Sequence, residues 1–442
     1  LRDVAGFFCP LHKFDLNFTK STMKNANKVS RSFQHMILLC GCLLIYYSVS
    51  ARQHKPTESG YIAQKTQGID SDYVLIFNSY SESAPWCRSL VDSTVMDLIK
   101  LSPQTMTVTQ NLNSGLLRDE KALAQLRQQV DVSYHDKPRM IIYIGSTSWP
   151  FLHETIEKKW GKVPSIIFSD IDYTGPITNL LRKTPIAPAL RIPYDKIVKE
   201  YEGALSVVYM PIYLRQSLAL MHQLTPPMTE LCFISDTRWI SAQMRADMAA
   251  ITKTDFPELK VRYLISADMS TLDLLDSLQH YGQETGVLFF SWLKQSQVGD
   301  SFVNDSHFRI IISKSARQPL FVLNDNEVNT DSDVLGGYFP TRAAVSHHVR
   351  LALEKTLAGQ PGSFQTVEPA QPVIDYLTLI RKGISPDLLP SNTHIYWKPD
   401  NFFHQYRYLL GGGALIVAVL LLIIYFLSRS RTQQRKVLTY MA

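Results

Sequence analysis

The sequence predicts an α/β protein with two doubly wound lobes built on parallel sheets. A membrane helix follows at the C-terminal end, and a signal peptide or signal anchor precedes at the N-terminal end. Three observations carry this prediction. Short apolar runs rich in β-branched and aromatic residues recur along the chain, and helical patterns separate them. About 350 residues lie between two membrane-type segments, too many for one ordinary core and enough for two domains.

The elements follow in order. Residues 1–22 begin with Leu1 rather than Met and are expected to be a leader without a structural role. Met23 opens a basic stretch with Lys24, Lys28 and Arg31, then the apolar run "MILLCGCLLIYY" (36–47), then small residues at Val49 and Ala51. That order fits a signal peptide over 23–51 cleaved after Ala51. A retained signal anchor is the alternative, because Tyr46 and Tyr47 extend the span. Residues 52–70 read as a linker, 71–200 as the first lobe, and 201–385 as the second lobe with hinge crossovers.

The expected strands are "YVLIFN" (73–78), "MIIYIG" (140–145), "SIIFSD" (165–170), "LCFISD" (231–236), "VRYLIS" (261–266), "VLFFSW" (287–292) and "LFVLND" (320–325). The amphipathic stretches "RDEKALAQLRQQV", around "MHQL", and "VSHHVRLALEKTLAGQP" read as helices, the last stopped by Gly359 and Pro361. Gly336 and Gly337 suggest a close backbone approach at a strand or hinge. Residues 386–408 read as juxtamembrane.

Residues 409–427 form an uncharged apolar run, and about 20 such residues cross a bilayer. A buried core helix keeps a polar face, and this run has none. Arg429, Arg431, Arg435 and Lys436 follow at once and predict a cytoplasmic C-terminus. Residues 428–442 then read as a linker to a further, cytoplasmic output domain.

The formal charge is +6. Residues 1–35 carry about +4 and residues 428–442 about +4, which leaves about −2 between them. The basic balance therefore reports topology, and no nucleic-acid partner is expected. Cys87 and Cys232 fall in different lobes of the exported part and read as two buried thiols. No zinc spacing accompanies them.

The candidate site comes from where the strands end. In open α/β sheets, ligands bind beyond the carboxyl ends of the strands. Here those ends carry Ser79, Gly145 with Ser146 and Thr147, Ser169 with Asp170, Asp236, Trp292 and Asp325. Tyr80, Trp86, Trp149, Trp239 and Trp292 are candidates for flat apolar walls. The carboxylates favour a small polar solute with hydrogen-bond donors or positive charge. A GxSxG elbow, P-loop, HExxH and GxGxxG are all missing, so no catalytic site and no cofactor are expected. His347 and His348 read as one solvated and one packed histidine. "NDNEVNTDSD" (324–333) lacks the calcium-loop glycine and spacing and reads as a solvated loop.

With these residues in view, the exported part resembles the type I periplasmic binding fold. It is most similar to the ABC-transporter substrate-binding-like family found as sensor regions of bacterial signalling proteins. The carriers are "DYVLIFNSYSESAPWCRSLVDSTVMDLI", "IIYIGSTSW", "PSIIFSDIDY", "ELCFISDTRW" and "VLGGYF", spread over about residues 70–385. Transporter members of that family end after this domain, whereas this chain carries the run at 409–427. The resemblance thus implies the sensor of a two-component receptor, with "RTQQRKVLTYMA" similar to a linker in Bacteroidetes-type histidine kinases. It implies an inner-membrane protein with a periplasmic sensor, working as a homodimer. Ala414 and Ala418 are a small pair that permits close helix packing. The alternatives are a tethered solute-binding protein of an importer, a diguanylate cyclase or chemotaxis sensor, and an exported hydrolase. A periplasmic protein in place of the solute also remains open.

Overall fold

The computed structural model describes residues 72–81, 84–225, 227–295, 302–303, 306–399 and 406–441. The compact unit to which they belong starts at Thr66. The leader, signal segment and linker expected over 1–70 lie outside the described residues.

Thirteen strands matter for the site: β1 (Tyr73–Asn78), β2 (Met106–Asn111), β3 (Met140–Ile144), β4 (Ser165–Ser169), β5 (Leu205–Tyr209), β6 (Glu230–Ser235), β7 (Lys260–Ile265), β8 (Thr285–Phe289), β9 (Leu320–Val322), β10 (Val334–Pro340), β11 (Phe364–Thr366), β12 (Ala370–Asp375) and β13 (His394–Tyr396). The first sheet runs β11-β5-β4-β3-β1-β2, and every neighbouring pair is parallel. The second runs β13-β12-β10-β9-β8-β6-β7, parallel except where β10 meets β12. Both hold the order of a doubly wound fold around β1 and β6, the first strand of each lobe. All seven strands expected from the sequence are present.

The central strands are apolar because helices cover both faces. Every residue of β1, β3 and β4 is buried. Each fully buried Phe or Ile there, such as Phe77 and Ile142, contributes on the order of 1.5–3 kcal/mol. The edge strand β2, "MTVTQN", is half exposed and correspondingly polar. The sequence reading passed over it for that reason.

The chain crosses between lobes after β5, after β10 and after β11. Beyond β10, the helix Arg342–Leu357 returns to pack on β4, β5 and the helix Pro85–Leu101. Beyond β11, Val367 N–H donates to Tyr209 O at 2.8 Å, which ties two crossings together. These crossings move the expected lobe boundaries. β5 and β11 follow residue 200 yet complete the first sheet, and β13 lies inside the stretch expected to be juxtamembrane.

Gly336 sits in β10 at φ +136°, and a Cβ there would lie 1.9 Å from Val373 O. Gly337 likewise approaches Val322 O of β9, so the close approach read from the glycine pair is the contact of β10 with both of its neighbours. Cys87 and Cys232 are buried free thiols.

The helix Arg407–Met441 is continuous. Within its segment Arg407–Thr432, an 18-residue stretch has a mean hydropathy of 2.7 and none of it is buried. At 1.5 Å per residue the segment is about 39 Å long, against about 30 Å of hydrocarbon. Among the described residues, it is the helix long and apolar enough to cross a membrane.

Candidate functional site in the cleft between the lobes

A cavity of about 200 Å³ lies between the lobes. Its walls come from both sheets' carboxyl ends and from the crossings, where Met210, Pro211, Ile212, Pro340 and Arg342 line it. Five of the eleven predicted residues reach it: Tyr80, Trp86, Asp170, Trp292 and Asp325. Phe289, Phe290 and Leu323 add apolar wall.

The other six are used inside the protein. Ser79 Oγ accepts the N–H groups of Ser148 at 2.9 Å and Thr147 at 3.4 Å, so it caps the helix Ser148–Trp160. Gly145, at φ +88°, lets that turn close, because a Cβ would sit 2.8 Å from Ser79 Oγ. Ser146 Oγ lies 3.5 Å from Tyr80 Oη, and Thr147 Oγ1 pairs with Ser114 Oγ at 2.7 Å. Ser169 Oγ accepts from Ile171 N–H at 3.2 Å.

Asp236 is the clearest revision. It has no exposed surface and does not line the cavity. Oδ1 accepts from Arg238 N–H at 2.9 Å and from Ser241 Oγ at 2.5 Å. Oδ2 accepts from Arg238 Nε at 2.8 Å and from Ser291 Oγ at 2.7 Å. Burial opposes its ionisation, but Arg238 and these donors together hold its carboxyl below the usual range. Its role is to hold Arg238, which does line the cavity and lies over the Tyr80 ring at 4.6 Å. Burial works against the guanidinium charge and Asp236 outweighs it, so Arg238 stays cationic.

Arg238 escaped the sequence reading. In "SDTRW" the acid stands out as a strand-end polar group, while an arginine two residues later looks like ordinary surface. Ser291 and Asn324, polar residues at the ends of the expected strands 287–292 and 320–325, also line the cavity.

The remaining wall candidates fall elsewhere. Trp149 is buried, stacks on His153 at 4.0 Å and packs against Tyr194 and Tyr201. Trp239 Nε1 donates to Thr184 O at 3.0 Å. With Gln243 accepting from Ile186 N–H at 2.9 Å and Arg191 Nη2 reaching Asp247 Oδ1 at 3.4 Å, that bond joins the two lobes directly. Ser89 Oγ and Asn326 Oδ1, 3.1 Å apart, join them again.

Residues 324–333 do not form a solvated loop. Asp325 and Glu327 are buried in a short 3-10 turn, and Ser332 is buried too. Asp325 Oδ2 accepts from Arg342 N–H at 2.5 Å and Tyr396 Oη at 2.7 Å. Among the described residues, no group of three or more His, Cys, Asp or Glu is placed to hold a metal. His347 is exposed and His348 half-buried, with Nδ1 2.9 Å from Ala344 O.

Asp170 differs from its acidic neighbours. Burial pushes its carboxyl up to about 6, against the opposing effects of Arg238 and local hydrogen bonds. Its Oδ1 is buried and has no partner among the described residues. Burial likewise raises the Tyr80 hydroxyl and the Cys87 thiol, so both are neutral near pH 7.

No protein-family model matches the chain, and no curated protein matches it. Solved structures do resemble it. A conserved domain protein from Vibrio cholerae aligns at 8% identity over 74% of this chain and 100% of its own, with a TM-score of 0.47. An ABC domain in complex with L-Trp from Streptococcus pneumonia aligns at 11% identity over 73% and 99%, also at 0.47. A sugar ABC transporter protein from Yersinia enterocolitica aligns at 12% identity over 70% and 84%, at 0.43.

Proposed function

We propose that the two lobes bind a small solute outside the cytoplasm and that the C-terminal helix carries the resulting change across a membrane. The chain is then the ligand-sensing region of a transmembrane receptor of the two-component, histidine-kinase type. The carrying observation is the cavity itself, lined from both lobes and from the crossings that join them. A solute that touches both walls binds the closed arrangement better than the open one, and only that difference shifts the equilibrium. The unbroken helix Arg407–Met441 supports the receptor reading, because it links the apolar span rigidly to the basic stretch after it. In this reading the basic stretch is cytoplasmic, the membrane is the bacterial inner one, and the receptor works as a homodimer.

Trp86 and Trp292 line the cavity and report on it. Titrating the detergent-solubilised chain with a solute library is expected to change tryptophan fluorescence saturably for at least one compound. Loss of that change in Trp86→Phe places the compound in the cleft. A library without any saturable response overturns the solute-binding reading. Reporter fusions after residues 399 and 441 test the topology, with an exported phosphatase active only at the first site. Activity at both sites overturns the transmembrane reading.

A tethered solute-binding protein of an importer uses the same cleft equally well. Co-purification with a permease, and no effect of the solute on a kinase fused after Met441, would favour it.

A further inference from the structure

This inference rests on the cleft being the solute site and concerns what the solute must be. Buried acceptors without donors are uncommon in folded proteins, and those at a cavity wall point toward what fills the cavity. Among the described residues, Asp170 Oδ1, Asn324 Oδ1 and Asp325 Oδ1 are buried and lack a hydrogen-bond partner. All three residues line the same cavity, Asp170 from the first lobe and the other two from the second. Two of them are carboxylates, which accept and never donate when ionised.

The charge around the cavity points the same way. Asp170, Asp325 and Glu327 line it against Arg238 and Arg342. Asp236, behind Arg238, already offsets that guanidinium through a 2.8 Å contact. Arg342 lies 3.7 Å from Asp325 Oδ2, so the second-lobe carboxylate brings its free oxygen, Oδ1, rather than an unpaired charge. Asp170 has no salt bridge of its own among the described residues. Trp86, Phe290 and Trp292 supply aromatic faces, which attract cations and cover apolar bodies.

We propose that the cleft takes an organic amine, a cationic N–H donor on an apolar body, received by the carboxylates of Asp170 and Asp325 from opposite lobes. Acceptors on both lobes make the amine a bridge, so it favours closure. The titratable groups that interact electrostatically with Asp170 are Tyr80, Cys87, Tyr173, Tyr194, Tyr209 and Arg238, and Ser146 hydrogen-bonds it. The tyrosines and the thiol are neutral near pH 7 because burial raises each of them, so Arg238 is the charge that Asp170 meets. An ammonium needs Asp170 ionised. Because that carboxyl titrates near about 6, amine affinity rises as pH climbs through that value and levels off above it.

Thermal-shift titrations of the solubilised chain test this with five probes: phenethylamine, 1,8-diaminooctane, L-phenylalanine, 3-phenylpropionate and phenyl β-D-glucoside. The expected result is that at least one of the two amines binds about tenfold or more tighter than the acid, the zwitterion and the glucoside. That preference should fall about tenfold between pH 7 and pH 5 and be lost in Asp170→Asn, whose unliganded melting serves as the folding control. Asp325→Asn provides the second-lobe check. Tighter binding of 3-phenylpropionate or L-phenylalanine would show that Arg238 reads a carboxylate and would overturn the proposal. So would preference for the glucoside, unchanged amine binding in both Asn variants, or no response to either amine. Each of these leaves the solute-binding reading to be judged separately by the library titration.

Discussion

Asp236 and Asp170 occupy equivalent places, each just past the carboxyl end of a parallel strand, yet they behave in opposite ways. Asp236 is fully buried with four donors, one of them a guanidinium, and stays ionised. Asp170 keeps an unpartnered oxygen and titrates near about 6. Burial alone raises both carboxyls, so the difference lies in the partners that each lobe supplies. The second lobe uses its acid to build an arginine into the wall. The first leaves its acid open to the cavity.

The largest way to break this contrast is Asp236→Ala. It strands Arg238 as a buried cation and should destabilise the protein by about 3–5 kcal/mol in urea unfolding. A loss below about 1 kcal/mol would mean that Arg238 finds solvent or another partner and is not held by Asp236.

Asp170→Asn should act in the other direction. A folded-state value raised from 3.8 to about 6 means that the folded protein binds the proton more tightly than the unfolded one. Stability therefore falls as pH rises from near 4 through about 6, and the full cost is present above that. Removing the charge should make the unliganded variant more stable at pH 7 by on the order of 3 kcal/mol and equal to the parent below pH 4. Melting curves across that range decide it. A variant less stable at pH 7 would show that Asp170 is paired in the folded protein.

Trp239→Phe sharpens the comparison at the lobe contact. It removes the Nε1 bond to Thr184 O while keeping most of the packing. A loss of about 0.5–1.5 kcal/mol is expected, with faster hydrogen exchange confined to the region around Thr184 and Ile186. Unchanged exchange there would show that the bond does not hold the lobes together.

Five of the eleven residues expected from the sequence line the candidate cavity, for identifiable reasons. Asp170, Trp292 and Asp325 follow from the rule about where parallel strands end, and Tyr80 and Trp86 from the expectation of flat apolar walls beside them. Ser79, Gly145, Ser146, Thr147 and Ser169 obey the same rule but are consumed by helix capping, turn closure and local hydrogen bonds. A small polar residue suits both roles equally, so its type does not separate them. Arg238 was hidden because the carboxylate that holds it, Asp236, is itself held by Ser241 from the following helix and by Ser291 from the end of a neighbouring strand.

By itself the sequence determined the fold class, the seven apolar strands expected from it and the apolar C-terminal helix, because these depend on local composition and periodicity. Only the tertiary structure decided the lobe boundaries, where β5, β11 and β13 join sheets across long sequence separations. It also decided which acids face the cavity and which are neutralised behind it. The physical reason is that a carboxylate's charge state depends on the donors within hydrogen-bond reach, and those are brought together by folding.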